Sequence, residues 1–325
     1  MKDPFMIPPF PWLAELVQPW CEFLNLPTLP LHIHEVVLSA LLYSIIFWPV
    51  SPILSNLLAP EYYSRLSRKK RINWNTHVVS MVQSCIISAL SIWVIAVDNE
   101  RWNMDWEERV WGYTGASGMI QAMATGYFVW DLFVTSSNLD VFGIGTLAHA
   151  IAALLVFLLG FRPLVNYYSC IFILWELSTP FLNIHWFMDK VNMTGSSAQL
   201  YNGIMLLSTF FTCRIVFGTY NSYRVMGDML RAVFSTPGLH KSESPFMAFA
   251  DYEFTVPVWA ALAYLGSNLT LNSLNFYWFV KMVSAVRKRF QPSKGVSEPV
   301  TEVEVDLSTV ASGVPQKMPI TRRKA

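Results

Sequence analysis

The sequence predicts an all-α, polytopic membrane helix bundle of about seven transmembrane helices. Three observations lead there. Of 325 residues, 53% are hydrophobic and only 14% charged, and mean hydropathy is +0.37. A soluble domain carries about 25% charge, so this chain lacks the side chains to face water on every side. Second, seven stretches approach the roughly 20 apolar residues that cross a bilayer with every backbone group paired internally. They cover residues 36–58, 74–97, 114–136, 142–160, 164–188, 200–222 and 257–282. Third, Lys and Arg cluster in short loops at positions that agree with an alternating path.

The opening MKDPFMIPPFPW places Pro and an acid where the apolar core of a signal peptide would begin, so no cleavable signal is predicted. Residues 1–33 are expected to form an interfacial segment. Within it residues 10–30, rich in Trp and Phe, have the pattern of an amphipathic helix lying at the membrane surface. The first span carries Trp48-Pro49 and Ser51-Pro52, and proline removes a backbone donor, so a kink is expected there. Residues 34–66 hold this span and part of a basic loop that continues through Arg65, Arg68, Lys69, Lys70 and Arg71. A second basic group, Lys281, Arg287, Lys288 and Arg289, follows the last span. Six spans separate the two groups, so both fit one cytosolic side, and the acidic DNERWNMDWEER loop at 98–109 falls opposite. The N-terminus is then lumenal and the C-terminus cytosolic. Residues 291–325 lose aromatic content and gain Pro, Ser and charge, which predicts a disordered tail. The tail ends Arg322-Arg323-Lys324-Ala325, resembling a dibasic endoplasmic-reticulum retrieval signal.

Composition also excludes partners. A net charge of +1 argues against nucleic acid. Cys21, Cys85, Cys170 and Cys213 are scattered and make no CxxC or Cys/His spacing, so neither a metal site, nor a cofactor site, nor a disulfide framework is expected.

Ionisable groups at membrane depth normally face the bundle interior. Asp131, His149, Glu176 and Arg214 lie on four different spans. Helical spacing groups neighbours with them: Tyr127, Asp131, Thr135 and Asn138; Glu176, Thr179 and Asn183; Gly203, Arg214, Gly218 and Asn221. On the last span Tyr264, Asn268, Asn272 and Asn275 make a polar ladder. The expected cavity lining is Tyr127, Thr179, Asn183, Arg214, Asn268 and Asn272, with His149, Asp131 and Glu176 as the groups able to do chemistry. Plainer roles compete: a Glu176–Arg214 ion pair that fixes helix register, a hydrogen-bonded neutral His149, and an asparagine ladder acting as interhelical glue. His77 and His185 are expected first at the interface.

Three stretches resemble the TLC-domain family, whose fold is shared with ceramide synthases and TRAM-like translocon proteins. They are Trp74-Asn75-Thr76-His77-Val78-Val79-Ser80, then Gly126-Tyr127-Phe128-Val129-Trp130-Asp131 with Ala148-His149, then Trp175-Glu176-Leu177-Ser178-Thr179-Pro180-Phe181-Leu182-Asn183 with His185-Trp186. The resemblance continues through Asn202-Gly203 and Phe210–Ile215 and spans roughly residues 67–290. The E-L-S-T-P-F-x-N run is most similar to the small, number-four type of the family. The family implies six helices around a lipid-accessible tunnel, with His149, Asp131 and Glu176 lining its polar part. Where ceramide synthases carry a His-His pair, this chain has Ala148-His149, and their H-D-x-S-D run is replaced by Trp175-Glu176-Leu177-Ser178.

The expected function is a multi-pass membrane protein of lipid homeostasis, integral to the endoplasmic reticulum, that binds or senses a membrane lipid or fatty acyl chain. The alternative is an acyltransferase using acyl-CoA as co-substrate, with His149 as general base. A heptahelical receptor is disfavoured because the third span ends WDLFVTSSN, without the acidic-Arg-Tyr run of common receptors.

Overall fold

Pro30 has the fixed φ that suits a helix's first turn, and the first long helix begins beside it, running from Leu29 to Leu58. This computed structural model describes residues 1–290, with side chains to residue 287; the expected disordered tail lies outside the described residues. The helix starts earlier than the apolar count placed it. His32, His34 and Glu35 weigh against a span by hydropathy, yet all three are buried against protein. At Pro49 the chain winds into a π turn over Ile46–Val50, which absorbs the missing donor where a kink was expected.

Four helices among the described residues are long and apolar enough to cross a membrane: Leu29–Leu58, Arg68–Val97, Leu139–Leu159 and Ser197–Phe234. Their outer faces expose Leu41, Ile45, Trp48, Leu58 and Ile204, the surface of a bundle solvated by lipid. The other three expected spans take different forms. Gly115–Ser137 is a continuous helix whose Thr114 side chain accepts from the Ser117 amide. Residues 164–188 are segmented, with helices Asn166–Phe172 and Thr179–Lys190 joined by a 3-10 stretch at Ile173–Ser178. The last helix, Val258–Phe290, is longer than any one span needs. Gly143 adopts φ +77° inside Leu139–Leu159, a left-handed kink that an L side chain strains to occupy.

Gly115–Ser137 is the central helix. Its residues from Ala116 to Ile120 are all buried, as are Tyr127, Phe128 and Trp130. It packs on Leu29–Leu58 and Leu139–Leu159. Gly126 permits that contact: a Cβ there would stand 2.3 Å from the Val36 carbonyl oxygen and 2.7 Å from Ser39 Cβ. Two helix backbones meet at this point with no room for a methyl. Gly126→Ala is therefore expected to cost about 1–3 kcal/mol by overpacking, read as a lowered unfolding temperature in detergent.

Contacts between loops show that the helices run alternately up and down. At one end Met1 pairs with Asp98 and Glu100, the Thr28 hydroxyl donates to Phe161 O, and Val165 N donates to Val110 O. At the same end Arg109 pairs with Asp228 and Lys241 with Asp105. At the other end Lys69 pairs with Asp140 at 2.8 Å. The N-terminal helix Pro11–Leu24 buries Leu13 and Cys21 and turns Trp12, Leu16, Trp20 and Phe23 outward, with Phe23 81% exposed.

Asp105 closes a capping box on Trp106–Trp111, with Glu108 returning the bond to the Asp105 amide. Burial would raise the Asp105 carboxyl, but the hydrogen bond from Lys241 and the backbone amides of Glu108 and Glu107 outweigh it and hold the group below the usual carboxylate range. Burial would lower Lys241, but Asp105 and Glu108 hold it above its ordinary value. A depressed carboxyl stabilises the fold above its unfolded pKa of about 4 and loses that contribution as pH falls through the folded value; a raised lysine is the mirror case, near pH 10 and above. Between about pH 5 and 9 the pair should contribute a constant amount, at most about 1 kcal/mol because Asp105 is partly exposed. Lys241→Ala should shift the acid limb of a pH–stability curve toward neutral pH, which thermal scans at stepped pH would read.

Candidate functional site: a polar cavity between six helical segments

Arg68–Val97, Gly115–Ser137, Leu139–Leu159, the segmented stretch Ile173–Lys190, Ser197–Phe234 and Val258–Phe290 surround a cavity of about 130 Å³. Its apolar wall is Phe142, Leu182, Phe210, Trp278 and Met282. Its polar lining includes Tyr127, Asp131, His149, Glu176, Thr179, Asn183 and Arg214. Four groups that hydropathy marks as costly thus share one hollow. Asn73, Thr76 and His77 come from the opening turns of Arg68–Val97, so the cavity sits in the half of the bundle that carries the first basic cluster.

Arg214 is the most heavily tied side chain in the cavity. It lies in a π turn, Phe211–Phe217, and is buried. Its Nε donates to Ser178 Oγ at 3.0 Å, Nη1 to Asn275 Oδ1 at 3.1 Å and Nη2 to Thr179 Oγ1 at 3.0 Å. The same Nη2 stands 3.6 Å from Glu176 Oε1, and Phe210 packs beneath the guanidinium. Gly218 opens the helix after the π turn, and a Cβ there would meet Trp175 Nε1 at 2.4 Å. The 3-10 stretch Ile173–Ser178 brings Glu176 and Ser178 to the same cation. The ion pair and the cavity are therefore one structure.

Asp131 is buried and accepts a long bond, 3.5 Å from Thr135 Oγ1. His149 sits between Phe128 and Trp278, with ring centroids 6.4 and 5.6 Å away. Its Nδ1 is buried and has no hydrogen-bond partner among the described residues. Glu176 is engaged by Arg214 and Asp131 by Thr135; no carboxylate bond to His149 is among those described. Chemically, the cavity offers a fixed cation, a weakly held carboxyl, a lone imidazole and an aromatic wall.

The TLC domain family matches residues 73–284. The chain belongs to the TLC-domain family. An uncharacterized TLC domain-containing protein of Schizosaccharomyces pombe is 39% identical over 283 residues, covering 87% of this chain and 88% of that protein. TLC domain-containing protein 4 of Homo sapiens is 31% identical over 176 residues, covering 53% of this chain and 65% of its own. Topoisomerase I damage affected protein 4 of Saccharomyces cerevisiae is 26% identical over 269 residues, covering 81% and 87%. The number-four type of TLC protein is thus among the relatives, as the E-L-S-T-P-F-x-N run implied. TLC proteins are membrane-associated and lipid-related, which places this chain in that broad class.

The matched region contains the whole cavity. Asn268 lies beside it, in a small side pocket with His149, Glu176 and Arg214. Asn272 lies elsewhere: its amide donates to Ser222 Oγ and to Asn268, so it ties Val258–Phe290 to the Ser197–Phe234 helix and does not line the cavity. His77, expected at the interface, is buried, bonds Asn183 Oδ1 at 2.7 Å and stacks on Trp186 at 4.0 Å. His185 is buried as well. Asn275, Ser178, Ser80 and Thr76 also belong to the site or hold it. The W-x-x-H-x-x-S spacing of Trp74, His77 and Ser80 was the available signal for two lining residues, because i and i+3 share a helix face.

Proposed function

We propose that this protein is a component of lipid homeostasis that binds a membrane lipid or fatty acyl chain in the TLC cavity. One observation carries the reading: an Arg214–Glu176 ion pair, a loosely held Asp131 and His149 face the same hollow as Phe142, Phe210 and Trp278. A polar head meets the first group and an acyl chain the second. Buried polar groups with few partners are costly without a ligand or water to bond them. The endoplasmic reticulum suits this role, with the basic end of the bundle cytosolic and the N-terminus lumenal by the placement of Lys and Arg.

The test is mass spectrometry of lipid carried through purification, on the native chain and on His149→Ala. Binding predicts a discrete lipid at near one per chain in both. A folded protein that carries only the bulk lipid mixture would refute it.

A second reading is acyl transfer from acyl-CoA, favoured by His149 Nδ1, which has no hydrogen-bond partner among the described residues. An amine or alcohol lipid would attack the thioester carbon while His149 takes its proton; the C–S bond would then break and His149 would return that proton to the sulfur, releasing CoA thiol. Turnover of acyl-CoA with amine or alcohol lipids, lost in His149→Ala while lipid occupancy stays, would decide for it.

A further inference from the structure

A second cluster of ionisable groups lies at the opposite end of the bundle from the cavity's basic mouth, outside the 73–284 match. The first turns of Leu29–Leu58 carry His32 and Glu35, three residues apart and so on one helix face. The N-terminal segment lays Asp3 against them. Asp3 Oδ1 accepts from the Phe5 amide at 2.9 Å, while Oδ2 turns to His32 Nδ1 at 3.4 Å. Glu35 Oε2 is 2.9 Å from the same Nδ1. One ligand atom from each of Asp3, His32 and Glu35 falls within 4.8 Å of the others.

The two carboxyl groups, Asp3 and Glu35, also lie within hydrogen-bonding reach of each other, and three features mark the cluster out. Glu35 is 0% exposed, and its Oε1 has no hydrogen-bond partner. Two carboxyl groups meet here, yet no Lys or Arg ion pair to either is present among the described residues; their only cationic candidates are His32 and His34. His34 is committed elsewhere, its Nε2 lying 3.0 Å from Ile7 O. Finally, the His32 ring is locked from behind. Its Nε2 is 2.6 Å from the Tyr113 hydroxyl, and Gly118 leaves the imidazole the space a Cβ would fill at 2.3 Å. With Nε2–H donating to Tyr113, Nδ1 presents a lone pair toward both carboxylates, the second-shell arrangement of metal-bound histidine.

We infer that Asp3, His32 and Glu35 form a divalent-cation site at the N-terminal end of the bundle. The donor set, one imidazole nitrogen and two carboxylate oxygens, suits zinc or manganese. Ligand atoms around tetrahedral zinc stand about 3.3 Å apart, given bonds near 2.0–2.1 Å, and the two edges from His32 Nδ1, 3.4 Å to Asp3 and 2.9 Å to Glu35, bracket that spacing. A dication would neutralise the carboxylate pair and bridge the N-terminal segment to the first long helix. Asp3, with a side chain 30% exposed, leaves the entry path. Cysteine and histidine spacing predicted no metal, because the third ligand comes from a residue far along the chain from its partners.

The experiment uses the full chain purified in detergent and stripped with chelator, then titrated calorimetrically with zinc chloride, with bound zinc counted by elemental analysis after dialysis. The expected result is about one zinc per chain. Asp3→Asn, at a partly exposed position, should raise the zinc Kd at least about 10-fold, and Tyr113→Phe about 10-fold through the second shell alone. Glu35→Gln should abolish saturable binding; its retention time on size exclusion verifies the fold. Zinc uptake unchanged in Asp3→Asn and Glu35→Gln would overturn the site, as would a folded native chain that takes up no zinc. A Glu35→Gln protein more heat-stable than the native chain with zinc present would also overturn it, since that is the behaviour of a proton-shared carboxyl pair.

Discussion

Arg214→Leu should lower stability by about 3–5 kcal/mol, the cost of leaving a buried countercharge unpaired. The loss has several sources. Glu176, nearly as buried as Arg214, would keep its charge with no cation beside it. Ser178 Oγ, Thr179 Oγ1 and Asn275 Oδ1 would each lose a charged donor. Arg214→Lys should recover little, because one ammonium cannot reach three oxygens on two separate segments as the planar fork does. Adding Glu176→Gln to Arg214→Leu should restore a substantial part, since the unpaired charge disappears. Thermal unfolding followed by labelling of the buried free thiols Cys21 and Cys170 would measure all three. A single Arg214→Leu variant as stable as the native chain would mean the network is not a structural tie.

Asp228→Ala should cost a similar 3–5 kcal/mol at the other end of the bundle. Its carboxylate accepts from Arg109 Nε at 2.8 Å and Nη2 at 2.9 Å, and from the Tyr168 hydroxyl at 2.7 Å. This bidentate geometry fastens the Ser197–Phe234 helix to the loop helix Trp106–Trp111, and Tyr168, fully buried, adds Asn166–Phe172. Removing the carboxylate strands a guanidinium in a mostly buried position. The double variant Arg109→Met with Asp228→Ala should regain part of the loss, because no guanidinium is then left buried without its countercharge. Additive losses in the same thiol-labelling assay would contradict this coupling.

Several parts of this architecture were legible in the sequence. Apolar length located the long helices, and the costly residues Asp131, His149, Glu176 and Arg214 pointed to the interior because hydrocarbon penalises them so strongly. Span ends were read less well. His32 and Glu35 looked too polar for a helix that starts at Leu29, since hydropathy cannot distinguish a residue facing lipid from one facing protein. Gly115–Ser137 shows the same effect from the other side: Gln121, Thr125 and Ser117 depress its hydropathy yet are buried against neighbours. His77 was misplaced because nearness to the Arg68–Arg71 cluster suggested an interface, whereas its partner Asn183 lies over 100 positions along the chain. Asn272 shared a stripe with Asn275, but a helix of this length meets more than one neighbour, and its bond goes to Ser222. Asn275 instead completes the Arg214 fork.

The wide turn at Phe211–Phe217 bears on how strictly chain length is fixed. On the Ser197–Phe234 helix the inward positions Leu206, Phe210, Arg214 and Gly218 are buried at unbroken steps of four, the mark of a surplus residue held within the coil. Deleting that residue would let the coil close to ordinary winding while Gln199 on one flank and Asp228 on the other kept their facings. A deletion anywhere else between Ser197 and Phe234 would rotate everything beyond it by about 100°. The coil can therefore lose one residue here with both flanks still facing their neighbours, the cost falling on the Arg214 bonds to Ser178, Thr179 and Asn275.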